Sequence, residues 1–301
     1  MKKVILFIIS VVFIFSCASE KFEHGDWEMV ADGFRFPEGP AWDGAGSLYI
    51  SNCNGGWIAR IENSTVDTLV KSSEETFQKT NGLIYLDEGY LLGCEYGENG
   101  YIIKITMDGE VQKIVKEYEG QPFNRPNDLT MDKKRNIYFT DPKSYGIDKR
   151  DGRVFYYDMN TDQLSLVADS LAFPNGLELS PLDGKLYVCE SATNSIISFD
   201  VAEDGSLKNK KPFITLPGGD TDGIEFDIKG NLYVAHFGGG AIYAISPQGE
   251  IINKIETPGK KPSNLEFGGK DYKTMFITED ETNAVYKMNV SIPGHSLNNM
   301  N

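Results

Sequence analysis

The sequence predicts an all-β fold, a six-bladed propeller of four-stranded antiparallel blades with the last blade closed by the N-terminal strand. Three observations predict it. A short polar step followed by an apolar residue recurs six times. An apolar-aromatic strand of the Leu-Tyr kind follows each copy at hairpin distance. The copies begin 43, 46, 48, 47 and 41 residues apart, a period of blades and not of helical repeats.

The openings are Glu38-Gly39-Pro40, Asn81-Gly82-Leu83, Asn127-Asp128-Leu129, Asn175-Gly176-Leu177, Asp222-Gly223-Ile224 and Ser263-Asn264-Leu265. The second strands centre on Leu48-Tyr49, Leu91-Leu92, Ile137-Tyr138, Leu186-Tyr187, Leu232-Tyr233 and Met275-Phe276. Between the two lie turns rich in Asp, Asn and Gly, such as Asp183-Gly184-Lys185, which tight hairpins need. Third strands alternate with period two, as in Arg153-Val154-Phe155-Tyr156-Tyr157, and a weaker fourth strand follows, as in Gln163-Leu164-Ser165-Leu166-Val167. The sixth copy stops after its third strand, and Trp27-Glu28-Met29-Val30 precedes the first copy with no blade of its own. That segment is expected to close the ring and to cover an edge that would otherwise template aggregation.

With 301 residues, 40% hydrophobic and 24% charged, the chain can bury a large core. Residues 26–290 are expected to form one propeller domain, residues 17–25 a short linker and residues 291–301 a polar, mobile tail. At the N-terminus Lys2 and Lys3 precede an apolar run from Val4 to Phe15, so residues 1–16 read as a signal peptide. Ile14-Phe15-Ser16-Cys17 resembles a bacterial lipobox with Cys17 lipidated, plain cleavage and an uncleaved anchor being the alternatives. A periplasmic or surface lipoprotein of the bacterial envelope is therefore expected, monomeric and touching the membrane only through its lipid. The net charge of -15 and the absence of a Lys/Arg run exclude nucleic acid as a partner. Cys53, Cys94 and Cys189 form no metal-type pair.

First strands line a propeller's channel, so the opening residues Glu38, Asn81, Asn127, Asn175, Asp222 and Ser263 are expected to meet at one axis. All carry oxygen, two are acids, and none is His or Cys. Such a set suits Ca²⁺ first, Mg²⁺ or Mn²⁺ next and Zn²⁺ least. Taken singly, each residue could be only an Asx turn former. Together, two carboxylates packed so close repel unless a cation lies between them.

Phe36-Pro37-Glu38-Gly39-Pro40, Arg125-Pro126-Asn127-Asp128-Leu129, Tyr138-Phe139-Thr140-Asp141-Pro142, Pro174-Asn175-Gly176-Leu177 and Thr221-Asp222-Gly223-Ile224 resemble the senescence marker protein and gluconolactonase family, over about Trp27 to Met288. The resemblance implies a six-bladed propeller and a divalent-metal-dependent lactonase, with relatives that cleave other esters or phosphorus esters. It implies Glu38, Asn175 and Asp222 as metal ligands, Asn127 as a fourth ligand or substrate contact, Arg125 as a substrate contact and Asp222 as proton acceptor.

Asp128, beside the column, is a second candidate for the base, because a carboxylate on a dication is weakened. Asn81 is a further substrate contact. Loops after the second strands return to the column's face and should wall the pocket: Glu95-Tyr96, the long loop from Asp141 to Asp151, Glu190-Ser191, His236-Phe237 and Glu279-Asp280. Tyr145 in the long loop is a lid or specificity element, and His236 is either a substrate contact or a wall histidine. No nucleophile elbow, zinc-protease pair or phosphate-cradling loop occurs. Hydrolysis of a small lactone is the reading these residues favour. A phosphotriester or other ester hydrolase, and a non-catalytic propeller with a structural cation, are the alternatives.

Overall fold

The computed structural model describes residues 22–98 and 100–296. Residues 1–21, with the segment read as a signal peptide and Cys17, and residues 297–301 lie outside the described residues. Six four-stranded antiparallel sheets form the blades, five of them with their strands in sequence order and the sixth completed by a strand from the start of the chain. Blade 1 is Pro37–Trp42, Ser47–Asn52, Trp57–Glu62 and Thr65–Lys71; blade 2 is Thr80–Leu86, Tyr90–Glu95, Tyr101–Thr106 and Val111–Val115. Blade 3 is Leu129–Met131, Ile137–Asp141, Gly152–Asp158 and Gln163–Leu171; blade 4 is Pro174–Leu179, Leu186–Glu190, Ser195–Val201 and Leu207–Thr215. Blade 5 is Asp220–Phe226, Leu232–Phe237, Ala241–Ile245 and Ile251–Glu256. Blade 6 takes Pro262–Gly268, Thr274–Glu279 and Ala284–Asn289 from the end of the chain and Glu28–Ala31 from its beginning, Glu28 opposite Lys287 and Ala31 opposite Val285. The closure expected from the sequence is thus the one observed.

Blades pack face to face because their strands carry apolar side chains on both sides. Each apolar cluster joins two neighbouring blades. Leu92 and Ile102 of blade 2 meet Phe139 and Phe155 of blade 3, and Leu48 and Ile50 of blade 1 meet Phe276 and Val285 of blade 6. That last pair closes the circle. Fully burying one such Phe or Ile contributes roughly 1.5–3 kcal/mol. First strands touch the first strands of both neighbours around the ring, which places them at the axis.

The turns between first and second strands lie together on one face, and the ends of the second strands lie on the other. In the turns, Asp43 Oδ1 accepts the N–H groups of Ala45, Gly46 and Ser47 at 2.7–2.9 Å, and Asp227 Oδ1 holds those of Lys229 and Asn231. For Asp43 the turn is the side chain's role, while Asp227 Oδ2 also accepts from Asn231 Nδ2 and the Tyr233 hydroxyl.

One expectation is corrected. Residues 291–296 are not a mobile tail but run along the turn face. Ile292 is buried, the Gly294 N–H donates to Tyr272 O, the His295 N–H donates to Phe226 O at 2.8 Å, and the Ile228 N–H donates to Pro293 O. Gly294 lies so close to the Phe267 ring that a Cβ would sit 2.0 Å from it. Composition suggested solvent, but a single apolar residue and a glycine suffice to dock a short polar segment.

Candidate active site

The opening residues sit at a break in the strand register. The pairing shifts between Glu38 and Ala41, Thr80 and Leu83, Pro174 and Leu177, Thr221 and Ile224, and Pro262 and Asn264. A bulge of this kind turns a side chain out of its strand's alternation, and here it turns the polar side chain toward the axis. The next position is glycine in four blades for want of space. A Cβ on Gly176 would lie 2.3 Å from the Asp222 carbonyl oxygen, and one on Gly39 2.2 Å from that of Asn81. One on Gly82 would meet Asp128 Oδ1 at 2.2 Å, and one on Gly223 would meet Asn264 Oδ1 at 2.1 Å. Only Gly39 also needs a positive φ, +46°. The polar-glycine step is therefore a device for crowding six strands round an axis, not a turn.

The second position keeps a side chain in blades 3 and 6, which face each other across the ring. There Asn264 Nδ2 donates to Asp128 Oδ2 in a long hydrogen bond of 3.4 Å. This strap separates an upper cavity from a small lower void.

The upper cavity, of about 200 Å³, is lined by Glu38, Asn81, Asn127, Asn175 and Asp222 with Phe36, Tyr96, Tyr145, Phe173, Ser191, Asp220 and Phe237. Five opening residues from five blades thus converge. The sixth does not: Ser263 is buried with its hydroxyl donating to Pro37 O at 2.9 Å and bonded to Thr278 Oγ1 at 2.8 Å. The Glu38 carboxyl is pushed well upward, by burial first and then by the charge of Asp222, with Asp280 and Asp128 adding to it. Asp222 is pushed upward likewise by burial and then by Asp280, Asp128 and Asp220, with a hydrogen bond from Asn175 in opposition. Asp280 itself is pushed up to about 8 by burial and then by Glu279, and neither of its buried oxygens has a hydrogen-bond partner.

The long loop places Tyr145 over the mouth, its hydroxyl donating to Asp220 Oδ1 at 2.8 Å and its ring edge-on to Phe173. Three expected participants lie elsewhere. Arg125 does not line the cavity; it is exposed at the rim, its guanidinium 5.8 Å from the centre of the Tyr96 ring. Asp128 faces the lower void, beneath the strap, where burial pushes it up to about 7. His236 is buried behind the wall, its Nε2 3.1 Å from Asn194 Oδ1 and its ring edge-on to Tyr243. It is a wall histidine and not a substrate contact, because alternation along the strand sends its neighbour Phe237 to the cavity instead.

The same alternation sorts the other loop pairs. Tyr96 and Ser191 line the cavity, while the preceding acids clamp the backbone: Glu95 Oε1 accepts the Lys79 N–H, and Glu190 Oε1 accepts that of Ala172. Asp141 holds the Arg125 N–H and Glu279 that of Lys261. These clamps fix the segments that lead into four of the six openings.

Sequence reasoning missed Phe36, Phe173 and Asp220. All three stand two residues before an opening, so a second column of the repeat would have shown them. Phe36 and Phe173 also have φ of 62° and 58°, a left-handed backbone that costs an aromatic residue of order 1–3 kcal/mol. Strain is kept where it aims a ring into the cavity.

Among the described residues no three His, Cys, Asp or Glu side chains form a ligand-like group. What converges is two carboxylates with three carboxamides, an all-oxygen set that fits a hard dication and not a zinc-type ion. The repulsion between the buried Glu38 and the half-buried Asp222 is what such a cation would relieve.

Residues 36–280 match the SMP-30/gluconolactonase/LRE-like region, from the first aromatic of the cavity wall to the unpartnered Asp280. The chain belongs to this family. Within it, the chain is 30% identical over 285 residues to a diisopropyl-fluorophosphatase of Loligo vulgaris, covering 83% of this chain and 87% of that protein. It is 30% identical over 281 residues to a gluconolactonase of Zymomonas mobilis, covering 83% and 78%. A solved gluconolactonase of Xanthomonas campestris superposes with a TM-score of 0.77 at 28% identity, covering 89% of both chains. The family's propeller and the sheets described above are the same architecture.

Proposed function

We propose that the protein hydrolyses small lactones with the help of one divalent cation, Ca²⁺ by preference, held by Glu38, Asn175 and Asp222 with Asn127 as a fourth ligand. The observation that carries this reading is the convergence of five oxygen-bearing side chains from five blades, two of them acids, on a cavity of about 200 Å³. That volume suits a single sugar-sized ring. A bound cation would polarise the ester carbonyl and stabilise the oxyanion that develops on it.

The chain's own side chains supply the rest. Phe36, Phe173 and Phe237 give the ring apolar faces to rest on and exclude water from its flanks. Asn81 and Asn127 present amides to the ring's oxygens. Asp222 accepts a proton from the attacking water, whose oxygen bonds to the carbonyl carbon; the ring C–O bond then breaks and the leaving alkoxide takes up the proton, giving a hydroxy acid. Arg125 at the rim attracts the carboxylate product or an anionic substrate group. Tyr145, held to Asp220, sets the width of the mouth.

The test is proton release from a panel of sugar and aliphatic lactones, run with EDTA and with Ca²⁺ restored. Turnover lost on chelation and regained with Ca²⁺ is expected. A folded, cation-loaded sample that hydrolyses no lactone would overturn the reading. A phosphorus ester belongs in the same panel, because a diisopropyl-fluorophosphatase is among the relatives at 30% identity.

A further inference from the structure

The reaction proposed above leaves one reacting atom without a partner. The carbonyl oxygen is assigned to the cation and the attacking water to Asp222. The ring oxygen departs as an alkoxide, a poor leaving group unless a proton reaches it as its bond breaks. The carboxamides of Asn81, Asn127 and Asn175 can donate a hydrogen bond but have no proton to release in the ordinary pH range. The donor is therefore a hydroxyl, an acid or a cation within reach of the cavity.

The cavity wall carries three hydroxyls, those of Tyr96, Tyr145 and Ser191. Two are committed: Tyr145 donates to Asp220 Oδ1 at 2.8 Å, and Ser191 Oγ donates to Thr221 O at 2.6 Å. Among the described residues no acceptor lies within hydrogen-bond reach of the Tyr96 hydroxyl. Beside Tyr96 stands the Arg125 guanidinium, 5.8 Å from the centre of the ring, and its charge opposes the upward push that burial gives the phenol. A guanidinium has donors only, so it can serve the phenol oxygen but cannot take the phenol proton. Other proton carriers nearby do not line the cavity. Both oxygens of Asp280 are buried, Lys79 Nζ donates to Asn54 Oδ1 at 3.0 Å, and Lys261 Nζ is 5.8 Å from the centre of the Phe237 ring. Tyr96 belongs to blade 2 and Asp222 to blade 5, and these blades face each other across the ring. A lactone between them has the base on one side and the free phenol on the other.

We propose that Tyr96 is a second catalytic residue, donating its phenolic proton to the ring oxygen of the lactone as the C–O bond breaks. The proposal rests on the lactonase reading and adds to it the source of the leaving group's proton. The water oxygen bonds to the carbonyl carbon while a water proton passes to Asp222. The electron pair of the broken C–O bond takes the Tyr96 proton, which gives the hydroxy acid. Tyr96 is left as a phenolate beside Arg125, whose charge holds it until the proton on Asp222 returns to it through water. One water is consumed, and both side chains end as they began.

The test is Tyr96→Phe in the full, Ca²⁺-loaded chain, which keeps the ring and removes only the hydroxyl. Turnover is measured on an alkyl lactone of the panel above, which releases an alkoxide, and on dihydrocoumarin, which releases a phenoxide able to leave without a proton. The kcat for the alkyl lactone is expected to fall about 10²–10⁴-fold with KM changed by less than about threefold. The fall for dihydrocoumarin is expected to be at least about tenfold smaller. Equal falls on the two lactones overturn the proposal, because a residue that only shaped the cavity would weaken both alike. So does an undiminished kcat for the alkyl lactone. Either result leaves the lactonase reading standing, whereas a parent protein that hydrolyses no lactone defeats that reading and the role of Tyr96 with it. Ca²⁺ should raise the melting temperature of the variant as much as that of the parent, which shows fold and cation site intact; a lost rise would place the hydroxyl at the cation and overturn the proposal.

Discussion

At the scale of single residues, the site is a problem of charge. Glu38 is buried and Asp222 half-buried, and both are pushed upward by desolvation and by their acidic neighbours, so without a cation the pair works against the fold. Asp222→Asn should lower lactone turnover about 10²–10⁴-fold, the usual worth of a positioned base. The same substitution should raise the melting temperature measured in EDTA, and should abolish the stabilisation that Ca²⁺ gives the parent protein. Differential scanning fluorimetry with and without the ion checks both signs; a variant still stabilised by Ca²⁺ would place the ion elsewhere. The acids and amides of this site were legible in the sequence because chemistry recurred at one position of a repeat. The misplacements have one physical source: a position in the repeat says which level of the channel a residue occupies, not which way its side chain leaves the strand. His236 and Phe237, or Glu95 and Tyr96, are equal in a linear reading and opposite in the fold.

At the scale of the strand, the bulge and its glycine are the working parts. Gly176 has an ordinary backbone, so an alanine there meets no conformational penalty. It meets the Asp222 carbonyl at 2.3 Å instead. Gly176→Ala should therefore destabilise the protein by roughly 1–3 kcal/mol, as overpacking does, and should disturb two cavity residues at once, since Asn175 and Asp222 flank the clash. Urea unfolding followed by a turnover assay reads both effects; an unchanged midpoint would mean that the strands can move apart at little cost. Strand content was legible from period-two patterning and turn chemistry, and the number of blades from the spacing of the openings. The bulges were not, because a bulge is defined by what the neighbouring strand does. Nor was the docking of residues 291–296, which depends on a groove that exists only after the ring has closed.

At the scale of the whole molecule, a second acidic layer lies below the strap. Asp128, Glu178, Glu225 and Glu266 line a void of about 20 Å³. Thr130 Oγ1 donates to Glu178 at 2.9 Å, yet burial still pushes Glu178 and Glu266 up to about 8, and Glu225 upward by burial and then by Glu266. In the unfolded chain these carboxyls lose their protons near 4.3. Between that pH and about 8 the folded state holds protons that the unfolded state has released, so stability falls as the pH rises through this window. The surface acids with lowered values, Asp158 and Asp200 among them, act in the opposite sense but only below their ordinary range. In EDTA the melting temperature should be higher at pH 5.5 than at pH 8.5, and Glu266→Gln should shrink the difference. An equal difference in that variant would assign the effect to other groups. The strap that divides these layers also decides how traffic moves. With Asp128 and Asn264 joined across the axis, the channel is a vessel with one mouth, and whatever enters past Tyr145 must back out the same way. Substrate and product then queue for a single doorway, and the product should inhibit by competition alone.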